Sequence, residues 1–324
     1  MTPVIETRGL VKRYDGELAV AGIDLVIGPG EIFGLVGPNG AGKTTTMKIL
    51  ATLLPPTAGE AFVCGISVTE HPIEVRRRIG YMPDFYGVYD DLRVWEYLDF
   101  FARCYGVPAA RRAGMIGELL EIVGLSDRRR SYVETLSRGM RQRLCLAHTL
   151  VHDPAVLILD EPASGLDPRA RVEMREILRE LRGMGKTILV SSHILPELAE
   201  MCTGVGIIDR GRLLRSGSIN EIERSLRATA LLNIDVLGDA EALASARDWL
   251  GTDPRVGDVL MTSDPSDGAT RLEVPFDGGA DEQAALLAAM VQAGHRVSAF
   301  SHATSDLEEI FLKVTGQQDQ VEAA

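Results

Sequence analysis

The eight residues Gly37-Pro38-Asn39-Gly40-Ala41-Gly42-Lys43-Thr44 constrain this chain more than any other stretch. They match G-x-x-x-x-G-K-[S/T] in full, follow the apolar run Ile32–Val36 and open a helical pattern over Thr44–Leu53. Strand, glycine-rich turn and helix in that order make a phosphate cradle. The glycines let successive backbone N–H groups point at one anion, and the helix N-terminus adds positive potential. The spacing assigns Lys43 to the β- and γ-phosphates of a nucleoside triphosphate and the Thr44 hydroxyl to Mg²⁺, with Gly37 to Thr45 as the binding set.

Hydrolysis at such a cradle needs carboxylates, and Val156-Leu157-Ile158-Leu159-Asp160-Glu161 supplies two. Four apolar residues predict a buried strand. It delivers both acids at its C-terminal end, where α/β sheets place ligands. Asp160 is expected to hold Mg²⁺, mostly through water, and Glu161 to polarise the attacking water as general base.

Further strand-like runs, Thr187–Ser191 and Val205–Ile208, alternate with helical patterns at Val172–Gly183 and Pro196–Met201. Apolar runs separated by helices predict a parallel α/β sheet covered on both faces. Short runs at Val4–Leu10, Leu18–Val20 and Ile23–Ile27 predict an antiparallel flap, and Asp90–Leu125 a helical insert. The net charge of −12 lies wholly in residues 220–324, which hold 7 Lys+Arg against 19 Asp+Glu. That shift marks a domain boundary near Gly217–Asn220, giving domains 1–217 and 218–324, with a helical subdomain at about 90–150. The last third reads strand Ala230–Val236, helix Ala240–Leu250, strands Val256–Thr262 and Thr270–Val274, helix Asp281–Gln292 and strand Arg296–Ser301. This βαββαβ order predicts a ferredoxin-like α+β domain, followed by an amphipathic helix over Asp306–Thr315. Its acidity disfavours nucleic acid as a partner. The four cysteines lie far apart and read as reduced thiols. The opening residues lack the apolar core of a signal peptide, and no charge-free apolar run approaches a membrane span.

With these motifs in place, the chain resembles the nucleotide-binding domains of ABC (ATP-binding cassette) ATPases. Leu136-Ser137-Arg138-Gly139-Met140-Arg141-Gln142 stands where that family carries its L-S-G-G-Q signature. Ser164-Gly165-Leu166-Asp167 looks like its D-loop, His193 like its switch histidine, and Tyr14 like its adenine-stacking aromatic. The resemblance implies a fold: a P-loop ATPase core with an antiparallel flap and a helical subdomain. It also implies a mechanism, in which two cassettes face head to tail around ATP and Mg²⁺. Ser137 and the Gly139 backbone then touch the γ-phosphate held by the partner, while His193 reaches the γ-phosphate of its own site.

Three positions depart from the family pattern, and one is Met140, where the signature ends in Gln. Arg138 replaces a glycine, adding positive charge near the phosphate. Asp84 stands where the family's Q-loop ends in Gln, offering a direct Mg²⁺ ligand. Without an ion, Asp84 would crowd Asp160 and Glu161, and like charges at contact repel by about 4 kcal/mol at an effective dielectric of 20.

Nine of the 17 aromatic residues fall between Tyr81 and Tyr105. Leu92, Trp95, Leu98 and Phe101 keep helical spacing and predict a packed stripe. Phe85, Tyr86 and Tyr89 lie in a loop where the family receives a coupling helix of its membrane subunit. The basic runs Arg76–Arg78 and Arg128–Arg130 read as solvated faces. Ser305–Gly316 looks like the C-terminal segment of the ABC-2, multidrug-exporter-like group. The resemblance thus implies a cytoplasmic ATPase subunit held at the inner face of the membrane by a separate membrane-spanning chain. That subunit acts as a homodimer or beside a second nucleotide-binding subunit, and it drives export. The rival is a soluble ABC ATPase of translation or DNA repair. A single phosphate loop, the absence of sustained heptads and the acidic tail weigh against it.

Overall fold

The computed structural model describes residues 2–85, 87, 89–219, 221–222, 230–263 and 270–302. The chain forms two compact units, 1–219 and 220–324.

The first unit runs β1 (Ile5–Tyr14), β2 (Glu17–Ile27), β3 (Ile32–Val36), α1 (Lys43–Leu50), β4 (Ala58–Val63), β5 (Ile66–Ser67), α2 (Pro72–Arg78) and β6 (Ile79–Met82). Three helices follow, α3 (Val94–Cys104), α4 (Ala109–Ile122) and α5 (Arg138–Thr149). Then come β7 (Val156–Leu159), α6 (Pro168–Gly183), β8 (Thr187–Ser192), α7 (Leu195–Ala199), β9 (Gly204–Asp209) and β10 (Arg212–Ser218).

The larger sheet has the order β10-β9-β3-β8-β7-β6 and is parallel except for the edge strand β10. Strands β3, β7, β8 and β9 are buried along their whole length, which explains their uninterrupted apolar runs. Val36 lies beside Ser192, and Leu159 beside Val190. The segments leaving β3, β7 and β8 therefore start at one edge of the sheet.

The flap is a second, antiparallel sheet of order β2-β1-β4-β5. The expected short strands are longer than the sequence pattern suggests. Leu18–Val20 and Ile23–Ile27 are one strand, and β1 continues to Tyr14. The interruptions are register shifts between β1 and β2, bulges that break the alternation without ending the ladder.

Helix α3 buries Val94, Tyr97, Leu98 and Ala102. The expected stripe was about one residue out of phase: of Leu92, Trp95, Leu98 and Phe101, only Leu98 is fully buried. His148 of α5 packs against this face. Phe101 stacks on its ring with centroids 4.3 Å apart, and the Tyr97 hydroxyl lies 3.3 Å from Nδ1. Burial lowers the His148 pKa to about 4, with His152 adding a smaller push in the same direction.

The second unit runs β11 (Ala230–Val236), α8 (Ala240–Leu250), β12 (Leu260–Ser263), β13 (Thr270–Phe276), α9 (Ala280–Gln292) and β14 (Val297–His302). Its sheet, β12-β13-β11-β14, is antiparallel throughout, the ferredoxin-like arrangement. Leu232, Ile234, Leu272 and Val274 pack against Leu250, Leu286 and Met290. Asp239 caps α8, accepting from the Ala242 N–H at 3.1 Å. β12 starts four residues later than expected: Val256 makes an isolated bridge to Phe276 and the Gly257 N–H donates to the Pro275 carbonyl at 2.8 Å, just after a turn in which Arg255 grips Asp253 with both Nε and Nη2. The helix expected over Asp306–Thr315 lies outside the described residues.

All four cysteines are free, and burial pushes the Cys145 thiol up to about 12. Among the described residues, no helix is long and apolar enough to cross a membrane.

Candidate nucleotide-binding and hydrolysis site

Between β3 and α1 the chain turns through Gly42 at φ 104°, the left-handed region that L side chains rarely enter. A Cβ here would also run into the Ala19 carbonyl of β2, so only glycine fits. Lys43, 6% exposed, donates from Nζ to the carbonyls of Gly37 (2.6 Å) and Pro38 (3.2 Å). Its charge is thereby held against the loop that precedes it. Thr44 and Thr45 follow in the first turn, half-buried.

Strand β7 delivers Asp160 and Glu161 at the same sheet edge. Asp160 is 1% exposed. Its Oδ1 accepts from Ser191 Oγ at 2.6 Å, while its Oδ2 is buried with no partner. A carboxylate oxygen in that condition is costly unless a cation or water satisfies it. One oriented carboxylate with Thr44 in the neighbouring loop suits Mg²⁺, which favours oxygen ligands and keeps several waters or phosphate oxygens.

Glu161 has φ 50°, a strained backbone for a residue with a side chain. Its N–H donates to Ser191 Oγ at 2.8 Å. The one Ser191 hydroxyl thus fixes both acids. Glu161 Oε1 lies 3.5 Å from Lys43 Nζ, and its Oε2 accepts from His193 Nδ1 at 3.0 Å. The tautomer follows from the carboxylate, which can only accept. His193 is 46% exposed, unlike a core histidine. A cavity of about 200 Å³ opens among Glu161, Ser164, Gly165 and His193. The Tyr81 hydroxyl is buried without a partner, and its pKa is raised by burial and then by Asp160 and Asp84.

Lys43, Asp160, Glu161 and His193 are thus brought together, and Thr44 and Thr45 follow Lys43 directly. Asp84 is exposed on the segment after β6. Among the described residues, no three His, Cys, Asp or Glu side chains gather into a metal cage. Asp84 and Asp160 nevertheless both act on the Tyr81 hydroxyl.

Tyr14 ends β1 on the flap, 44% exposed, with Lys12 Nζ 5.3 Å from its ring centroid. Ser137 caps α5, accepting from the Met140 N–H at 3.3 Å. Both Ser137 and Arg138 are exposed, and Gly139 is half-buried. Arg138 departs from the expected direction: its Nη2 donates to the Ser164 carbonyl at 3.2 Å, and its guanidinium lies on Gly165.

Residues 20–164 match the family model described as ABC transporter. The chain is 38% identical over 315 residues to the daunorubicin/doxorubicin resistance ATP-binding protein DrrA of Streptomyces peucetius, covering 97% of this chain and 93% of that protein. The chain belongs to the ABC transporter ATP-binding family. Its nucleotide site is that of an ABC-type ATPase. A second relative is the Nod factor export ATP-binding protein I of Cupriavidus metallidurans, 36% identical over 318 residues, with 98% of this ABC chain and 99% of that protein covered. A solved ATP binding subunit of an ABC transporter superposes with TM-score 0.62 at 31% identity, over 68% of this chain and 92% of that one.

Ser191 of this ABC ATPase is the residue that sequence reasoning missed. The sequence pattern placed it only as the last residue of the strand-like run Thr187–Ser191, with no chemical role. The signal was its place two residues before His193, on the strand that pairs with the carboxylate strand.

Proposed function

We propose that this chain is the ATP-hydrolysing subunit that powers export by a separate membrane-spanning subunit, working as an ATP-sandwiched head-to-tail dimer. The observation that carries the hydrolytic part is Glu161, held between Lys43 and His193 at the end of β7. The export part rests on the relatives, whose names are those of resistance and export ATP-binding proteins.

In this reading, residues 1–217 form the nucleotide-binding domain and 218–324 an acidic accessory domain. Tyr14 stacks on adenine, its other face steadied by Lys12. Backbone N–H groups of Gly37 to Thr45 cradle the phosphates, and Lys43 trades its loop carbonyls for β- and γ-phosphate oxygens. Thr44 and Asp160 would hold Mg²⁺, which would supply charge neutralisation on the phosphates. Glu161 takes a proton from water as the water oxygen bonds to the γ-phosphorus. The bridging P–O bond breaks, and its electron pair leaves with ADP. His193 keeps the carboxylate oriented. Ser137 and Gly139 face the nucleotide held by a partner cassette. ATP then joins two chains, and its hydrolysis releases them.

The membrane subunit docks on the loop at 85–89, which keeps the chain at the inner face of the membrane. Phe85 is 90% exposed and Tyr89 54% exposed, while Tyr86 and Val88 lie outside the described residues. Aromatic anchors of this kind each cost about 2 kcal/mol or more when truncated at an interface. Phe85→Ala with Tyr89→Ala should therefore keep basal ATPase activity and lose co-purification with a co-expressed membrane-spanning subunit. Retained co-purification would move the docking surface elsewhere, and purification with ribosomes in place of membranes would favour the soluble rival.

A further inference from the structure

Arg138 occupies the third position of the signature segment, a place where the chain departs from the family's glycine. Its guanidinium covers the face of Gly165 where a Cβ would stand, and its Nη2 donates to the Ser164 carbonyl at 3.2 Å. Gly165 sits at φ 67°, so its lack of a side chain serves two ends at once: the left-handed turn and the seat for Arg138. The contact belongs to a longer seam. The open side of Gly139 faces Ala170 and Leu166, with 3.1 and 3.6 Å available to a Cβ. Further along α5, Arg143 Nη2 lies 3.4 Å from Glu173 of α6. On the other side, the Ser164 N–H donates to the Glu161 carbonyl at 3.1 Å. Arg138 is thus two hydrogen bonds from the strained backbone of Glu161.

We propose that Arg138 is a positioning residue that ties the signature segment to the Ser164–Asp167 loop of its own chain. Resting on the sandwich reading above, the tie has a direction. The signature segment meets the nucleotide held by the partner, whereas the Ser164–Asp167 loop follows Glu161 of the chain's own site. A phosphate felt by Ser137 and Gly139 at one site therefore sets the backbone of the base at the other. A planar guanidinium suits this role because it stacks and donates at once. A lysine ammonium carries the same charge but cannot lie flat on Gly165.

The test is steady-state ATP hydrolysis by the full chain with Arg138→Ala, Arg138→Lys and Gly165→Ala, each checked for folding by thermal unfolding. Gly165→Ala leaves residue 138 intact but removes its seat. The same three changes are also placed in a Glu161→Gln background, where ATP-driven dimerisation is followed by light scattering. All three should lower kcat by about tenfold with KM for ATP nearly constant, and bring the Hill coefficient toward 1. In the Glu161→Gln background they should dimerise at an unchanged ATP concentration. Full rescue by lysine, with a raised ATP requirement for dimerisation in Arg138→Ala, would show that Arg138 binds the partner's phosphate instead and overturn the proposal. Unchanged kcat and Hill coefficient in Arg138→Ala would also overturn it. A Glu161→Gln chain that stays monomeric would sink the sandwich itself, and with it the coupling between sites, whatever the Arg138 variants do.

Discussion

The edge of the parallel sheet and the packed helices α3 and α5 both bury titratable side chains, and they use them in opposite ways. At the sheet edge, Lys43 and Asp160 are almost fully enclosed and are held by polar partners, the Gly37 and Pro38 carbonyls and the Ser191 hydroxyl. Between the helices, His148 lies among Tyr97 and Phe101, and His152 stacks on Tyr105 at 3.9 Å between centroids. Burial lowers the pKa of both histidines, so they pack as neutral rings. A buried ionisable group with one orphaned oxygen points to an ion or substrate. A buried one wrapped in aromatic rings points to packing.

The strongest way to break this contrast is at Ser191. Ser191→Ala leaves Asp160 Oδ1 and the Glu161 N–H without their shared partner and frees the strained Glu161 backbone. Loss of kcat by about a hundredfold is expected, with ATP binding retained and partial recovery in Ser191→Thr. Wild-type turnover in Ser191→Ala would mean that the acids are positioned by the strand alone.

His148 gives the complementary test. Its folded pKa of about 4 lies below the ordinary histidine value of about 6.5. The unfolded chain therefore binds the proton first as pH falls. The stability that neutral His148 contributes is complete above about pH 6.5 and is lost progressively toward pH 4. Urea denaturation should show about 2 kcal/mol less stability at pH 5 than at pH 7.5 from this group. His148→Phe, which keeps the ring stack, should flatten that slope. An identical slope in the variant would place the titration elsewhere.

Asp84 is expected to show the smallest effect. It is exposed on the segment after β6, so Asp84→Gln should leave the Mg²⁺ and Mn²⁺ dependence of hydrolysis within about twofold. A shifted metal preference would return Asp84 to the ion.

These differences also mark what could be read before the structure. The phosphate loop and the two acids were legible because their geometry is local, with a glycine turn and a strand end each complete within a few residues. The βαββαβ order of the second unit was legible because its strands and helices have distinct periods. The phase of α3 was not, because the face it buries packs on partners about 50 positions away, His148 among them. Ser191 and the seat of Arg138 on Gly165 were also hidden, since both exist only through pairing between distant segments. The flap misled for another reason: a bulge and a turn leave the same break in alternation.

The central claim is that Glu161 is the base of an ATP site completed by a second cassette. Light scattering of Glu161→Gln with ATP and Mg²⁺, with phosphate release followed in the same sample, tests it most directly. The amide cannot accept the proton, so the variant should bind ATP, accumulate at twice the mass of one chain and hydrolyse at least about a thousandfold more slowly than wild type. Hydrolysis at the wild-type rate, or a chain that remains monomeric with ATP bound, would contradict the account.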